Sequence, residues 1–293
     1  MCIIGGTGAA RRSDVHLVPV CEEARRMAQK RPAMPNEPIL LRSDAGGVCT
    51  LTLNRPDARN ALSTDLMHAM QTELDAIAED PSVRVVVIAG AEPGFCAGHD
   101  MRELRADPTE AFYRKAFKAS SRIMMTIGSL PQPVIARVHG VATAAGCQLV
   151  ASCDLAVASI EARFATPGVH IGLFCSTPMV PISRKIGRKA MMEMLLLGEM
   201  VEAEEAHRLG LVNRVVAEDA LDAAVADMTA KIAAKSPVAI RMGKEAYYAQ
   251  LDMDLADAYA HCGEVMTRNM LTHDAEEGID AFLEKRTPVW EGR

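Results

Sequence analysis

VIARVHGVATAAGCQLVASCD, residues 134–154, changes its period partway along, and that change decides the fold. Val134, Ile135 and Ala136 form an apolar run that reads as a buried strand, after which Gly140 and the small residues Ala142, Ala144, Ala145 and Gly146 intervene. From there the apolar spacing becomes helical at Leu149, Val150 and Cys153. A strand that turns through small side chains into a helix leaves backbone N–H groups free at the positive end of the helix dipole. Such a turn can hold an anion, or a carbonyl oxygen that is becoming one. One turn into the predicted helix stands Gln148, an amide where acid-base chemistry would call for a carboxylate.

A second segment repeats the arrangement. Val83 to Ala89, VRVVVIA, is β-branched like a buried strand and runs into GAEPGFCAGHD, residues 90–100. Two strands that each end in a loop of small residues can aim two donors at one oxygen, or they can simply be tight strand-to-helix turns. More broadly, strand-like runs at 48–53, 83–89, 134–138 and 155–158 alternate with helical stretches at 64–80, 111–129, 144–152, 189–197 and 203–209. Ser63-Thr64-Asp65 is an N-cap cluster, and Pro81 is expected to end the helix that follows it. The alternation predicts an α/β core with mainly parallel strands. Strand signals nearly vanish after Gly198, the remainder reads as helices, and no internal repeat is visible. Expected boundaries are an N-terminal extension over 1–36, an α/β core over 37–215 and a helical region over 216–293. The extension reads as flexible, with Met34 a candidate for the true start.

GFCAGHDMREL (94–104) and HGVATAAGCQLVASCD (139–154) resemble the crotonase superfamily of enoyl-CoA hydratases and isomerases. LNRPDARNALS (53–63), FATPGVHIGLF (164–174) and GEMVEAEEAHRLGLVNRVV (198–216) fall in that family's order and spacing. TAAGCQLVASCD, FATPGV, GLFCSTP and FLEKRTPVW resemble most its divergent enoyl-CoA-hydratase-domain-containing members. The resemblance implies a spiral of ββα units with a C-terminal helical trimerisation region, in trimers that usually pair into hexamers. It also implies a lyase or isomerase of fatty acid metabolism acting on acyl-CoA or enoyl-CoA thioesters, with coenzyme A part of the substrate and no separate cofactor.

Carried over by motif, the backbone N–H groups of His99 and Ala145 form an oxyanion hole, Ala145 standing where glycine is usual. The family's two catalytic glutamates fall on Gln148 and Gly168. Neither can accept and return a proton at neutral pH, so the resemblance supports thioester binding more strongly than hydration. A non-catalytic module that binds or sequesters acyl-CoA is the alternative. The CoA path is expected along Arg59, Ala61, Leu62, Ala97, Gly98, Asp100 and Met101, with Ala144, Pro167 and Leu173 also lining the site. Phe282 and Lys285 fall where the family brings a C-terminal aromatic and cation to the nucleotide, sometimes from a neighbouring subunit. Substitute acid-base candidates are His99 and His170. Cys175 reads as a small wall residue rather than a nucleophile, Asp100 as a hydrogen-bond acceptor that fixes its loop, and Glu103 as rim charge.

Composition excludes several classes. A formal charge of −6 with no basic, aromatic-studded stretch argues against nucleic acid. No apolar run approaches a membrane span, and MCIIGGTGAARRSDVHLVPV is a poor secretory signal. The 8 cysteines (2, 21, 49, 96, 147, 153, 175 and 262) include no CxxC pair, so reduced, partly buried thiols in a cytoplasmic protein are expected. The 8 histidines show no metal-ligand spacing, and no metal is expected.

Overall fold

Val85–Gly90 is buried at every position, which places its β-branched run in the middle of a sheet covered on both faces. The structure, a computed structural model, describes residues 37–293; the extension expected over 1–36 lies outside the described residues. The described residues open with an antiparallel pair, β1 (Leu40–Ala45) and β2 (Val48–Leu53), then α1 (Thr64–Ala78) and β3 (Val85–Gly90). There follow α2 (Met101–Ala106), α3 (Glu110–Ser129), β4 (Val134–Val138), β5 (Val141–Thr143) and α4 (Ala145–Ser152). Next come β6 (Leu155–Ser159), β7 (Arg163–Ala165), α5 (Met179–Ile182), α6 (Arg188–Leu197), β8 (Val201–Glu202), α7 (Ala203–Leu209) and β9 (Arg214–Val216). Four helices close the chain: α8 (Leu221–Ala233), α9 (Pro237–Gln250), α10 (Leu255–Met270) and α11 (His273–Glu284).

Among the described residues the strands build two sheets. One has the order β1-β2-β3-β4-β6-β9, parallel from β2 onward, and the other the order β5-β7-β8. In the units β4-β5-α4 and β6-β7, the first strand joins the larger sheet and the second the smaller. Alternate residues of the larger sheet therefore face different cores. Leu51, Val86, Ile88, Ala136 and Ala158 meet Leu66, Met70 and Leu74 of α1 and Ile123 and Ile127 of α3. Val85, Val87, Ile135 and Val157 meet Leu221, Val225 and Met228 of α8. Each such valine, leucine, isoleucine or methionine side chain taken fully out of water contributes roughly 1.5–3 kcal/mol before conformational entropy is counted.

Helix ends follow local chemistry. Ser63 caps α1, its Oγ accepting from Leu66 N–H at 3.2 Å, as expected of the Ser-Thr-Asp cluster. That helix stops at Ala78, capped by Glu79, two residues short of the expected Asp80, and Pro81, which has no N–H to donate, bars its continuation. Two strands also lie beyond Gly198 where few were expected. β8 and β9 are too short to carry a period, and β9 is specified by pairing with β6 rather than by its own pattern. Asp154, just past α4, accepts from Val134 N–H (2.7 Å), Lys244 Nζ (2.7 Å) and Tyr248 OH (2.8 Å), which fastens α9 to the parallel sheet.

Candidate active site

The loop after β3 and the turn before α4 are knitted together through their backbones. Cys96 N–H donates to Val141 O at 3.1 Å, Thr143 N–H donates to Cys96 O at 3.0 Å, and Thr143 Oγ1 donates to Ala97 O at 3.2 Å. This contact depends on Gly146, where an added Cβ would stand 2.0 Å from Cys96 O. Gly98, at φ +96, approaches so closely that its own Cβ would lie 3.2 Å from Ala145 N. On the other side the loop forms a parallel bridge with Leu62: Leu62 N–H donates to Gly98 O at 2.8 Å and Asp100 N–H to Leu62 O at 3.0 Å. Successive peptide groups of an extended chain point in opposite directions, so His99 N–H faces away from Leu62. Ala145 is the first residue of α4, and its N–H has no acceptor within the helix. Among the described residues, neither N–H donates to a protein acceptor.

The conformational demand at this turn falls on a different residue from the one expected. Ala145 is helical, and Ala144 takes φ 49, ψ −116, a region that favours glycine. Its N–H is held by Ala165 O at 2.9 Å.

Gln148 is buried, 3% exposed, and its Oε1 has no hydrogen-bond partner. Gly168 is buried in the 3-10 turn Pro167–Ile171. A Cβ there would stand 3.0 Å from Cys175 Sγ and 3.0 Å from Leu173 O, so the thiol fills the room that a longer side chain's stem would need. Burial pushes the Cys175 thiol up, and it pushes the Cys147 thiol to about 12. Burial also lowers the His99 imidazole to about 4; its Nε2 is unpartnered and its ring meets Phe117 edge-on at 5.3 Å. His99 is therefore neutral at pH 7 and poorly poised to accept a proton. His170 is exposed, with Nε2 3.2 Å from Gly198 O at the end of α6.

Of the residues expected along the CoA path, Arg59, Ala61 and Leu62 are brought against Ala97, Gly98, His99 and Asp100, with Ala97 N–H donating to Arg59 O at 3.0 Å. Met101 is exposed and follows Asp100, whose carboxylate accepts from Arg102 N–H at 3.0 Å and caps α2. Leu173 is exposed beside the Pro167 turn, whereas Phe282 and Lys285 stand at the exposed end of α11, with no hydrogen bond to either loop among the described residues.

Two residues that hold this site were missed, Asn60 and Arg55. Asn60, fully buried, donates to Ala91 O (2.6 Å) and Gly94 O (2.7 Å) and accepts from Arg55 N–H (2.9 Å). Arg55 pairs with Asp100 at 2.9 Å and also donates to Ala61 O. Burial pushes the Asp100 carboxyl up, but the Arg55 and Arg102 hydrogen bonds outweigh it and hold the group below its ordinary value. Glu103, expected as rim charge, instead accepts from Thr64 N–H at 2.8 Å. The only signal for Asn60 and Arg55 was their place in the RPDARNAL motif. Among the described residues no His, Cys, Asp or Glu group could hold a metal, and no helix is long and apolar enough to cross a membrane.

Residues 43–293 match the enoyl-CoA hydratase/isomerase family model. The human mitochondrial enoyl-CoA hydratase domain-containing protein 3 is 43% identical over 83% of this chain and 80% of its own length. The 2,3-dehydroadipyl-CoA hydratase of Escherichia coli is 34% identical over 84% of this chain and 96% of its own. Among solved structures, an enoyl-CoA hydratase from Mycobacterium smegmatis superposes with a TM-score of 0.86 at 54% identity, covering 87% of this chain and 99% of that one. The chain belongs to the enoyl-CoA hydratase/isomerase family and has the crotonase fold. The expectation of a cytoplasmic protein is corrected by the same comparisons, because the rat and human relatives at 42% and 43% identity are named as mitochondrial proteins. Reduced cysteines had carried that expectation, and thiols of this kind do not tell one reducing compartment from another.

Proposed function

We propose that this family member binds acyl-CoA or enoyl-CoA thioesters, the backbone N–H groups of His99 and Ala145 together holding the thioester oxygen. What supports this reading is that the His99 and Ala145 N–H groups, neither donating to a protein acceptor among the described residues, belong to one junction that Gly98 and Gly146 draw tight. Charge that develops on the oxygen as the thioester becomes enolate-like is met by fixed dipoles, and one such donor is typically worth ~10²–10³ in rate. Arg59, Ala61, Leu62, Ala97, Gly98, Asp100 and Met101 line the path of the pantetheine arm, and coenzyme A belongs to the substrate rather than to a resident cofactor. The hydratase names of the relatives support the same substrate class. Assembly into trimers or hexamers is part of this reading, supported by the exposed apolar side chains of α10 and α11, including Met266, Met270, Ile279 and Leu283.

Hydration by two carboxylates has no residues to run on, since Gln148 and Gly168 stand at both positions. The candidates to replace them are poorly suited: His99 is neutral, the Cys175 thiol is raised, and His170 is tied to Gly198. These observations favour a second reading, a module that binds the thioester without turning it over. Crotonyl-CoA and a longer 2-enoyl-CoA, followed by loss of the conjugated thioester's absorbance, separate the two. Turnover of a few per second refutes binding alone. Calorimetric binding without turnover refutes the enzyme, and absence of any CoA-ester binding refutes both.

A further inference from the structure

Just past β4 a buried histidine stands where both donor loops begin. His139 is 2% exposed, and its Nδ1 lies 3.2 Å from Arg137 Nη1. A guanidinium only donates, so Nδ1 accepts, the ring is neutral and its one proton sits on Nε2. That Nε2 has no hydrogen-bond partner and stands 3.4 Å from Glu92 Oε1, in the loop after β3. Arg137 is itself held by Asp222 in the first turn of α8, Nε to Oδ1 at 2.5 Å.

The two loops press together at this point. An added Cβ on Gly140 would stand 2.8 Å from Pro93 O, and one on Gly94 would stand 3.2 Å from Val141 N. Asn60 fixes the carbonyls of Ala91 and Gly94, with Glu92 between them. His139 therefore meets one loop through Glu92 and leads into the other through its own main chain. The charged groups around the ring are Glu92 of the loop, Arg137 of β4, Glu218 of the turn before α8 and Asp222 of α8. Burial holds the imidazole below its ordinary value; Glu92 pulls it up, Arg137 pushes it down, and Glu218 and Asp222 pull it up. A proton added at Nδ1 would remove the acceptor that Arg137 uses and set two cations face to face in a buried place.

We propose that neutral His139 is a positioning residue for thioester binding, joining the roots of the His99 and Ala145 loops through Arg137 and Glu92, and that protonating it loosens them. The proposal rests on the acyl-CoA reading above and goes beyond it by assigning a proton-linked role to a residue outside the donor pair.

Calorimetry of butyryl-CoA on the full chain between pH 7.5 and 4.5, with circular dichroism checking each fold, is the test. In His139→Asn the amide oxygen can still accept from Arg137 but does not titrate. The parent's affinity relative to that variant is expected to hold above pH 6.5 and to fall about threefold or more by pH 4.5. Titration of His99 and of the ligand's phosphates is common to both chains and cancels in the ratio. Glu92→Gln removes a carboxylate that favours the protonated ring, so its fall should come at lower pH than the parent's. His139→Leu, which leaves Arg137 without its acceptor, is expected to bind about tenfold more weakly than His139→Asn at pH 7.5. A ratio that does not change with pH, a fall that Glu92→Gln does not move, or equal binding by the Asn and Leu variants overturns the proposal. A parent chain that binds no butyryl-CoA at any pH overturns the acyl-CoA reading itself. If a His139 variant fails to fold, the parent against Glu92→Gln carries the test.

Discussion

Restoring the two carboxylates should create hydration, and the structure makes the two positions unequal. Gln148→Glu is isosteric and should fold, but its new carboxyl replaces a buried amide whose Oε1 has no partner. Desolvation should raise that carboxyl above its ordinary value, toward the value useful to a general acid or base. Gly168→Glu is harder, because its Cβ would meet Cys175 Sγ and Leu173 O, both at 3.0 Å. Overpacking of that kind costs about 1–3 kcal/mol, and adding Cys175→Ala should recover the part due to sulfur. Syn addition needs one group to take a proton from water and another to give one to carbon. Gln148→Glu alone should therefore raise turnover of crotonyl-CoA less than tenfold. The triple variant should raise it by ~10³ or more, since each well-placed acid or base contributes ~10²–10⁴. The assay follows loss of the conjugated thioester's absorbance, with calorimetry to confirm that binding is intact. If the triple variant is folded and binds as the parent does, yet gains less than tenfold, then missing carboxylates are not what limits this site.

Three further outcomes follow from the geometry. His99 is held near 4, below its ordinary 6.5, so its contribution to stability is present above 6.5 and lost as pH falls from 6.5 toward 4. That loss should reach about 3 kcal/mol at most in urea titrations at fixed protein concentration, and a His99→Gln variant that keeps the full loss would contradict the assignment. Ala144→Gly should relieve ~1–3 kcal/mol of backbone strain against ~0.4–1 kcal/mol of added unfolded-state entropy, so the urea midpoint should rise; a fall would mean the strain is absent. Arg55→Met should cost about 2 kcal/mol by orphaning Asp100 and Ala61 O, and should weaken butyryl-CoA binding more than Asp57→Asn does, with equal binding by the two variants refuting the bracing role.

Where period and backbone chemistry coincide, the sequence was readable. β2 and β4 fall where their apolar runs placed them, and Ser63 caps α1 as its cluster indicated, because burial and capping are local consequences of residue type. β5, β7 and β9 were not readable, since each has only three residues and exists through its partner strand. The site was legible as a pair of loops, but its bracing was not. Asn60 looks like any turn residue until the fold brings Ala91 O and Gly94 O to its side chain. The lowered His99 likewise depends on burial beside Phe117, a contact between residues far apart in sequence.

The arrangement also explains how this site can lose its carboxylates and remain intact. The donor pair proposed above, if it holds the thioester, is carried by main chain, and its alignment depends on Gly98, Gly146, Asn60 and the Leu62 bridge. None of those contacts passes through the side chains of positions 148 or 168. Gln148 contributes its N–H to Ala144 O and its own O to Ser152 Oγ, bonds that any helical residue's backbone could make. Thioester binding and proton transfer are therefore separable by substitution. A chain can shed the second while every constraint that serves the first stays in force. Gly168 completes the reasoning from the other side: with Cys175 Sγ against it, the space has been repacked rather than left hollow, so regaining a carboxylate takes more than one change.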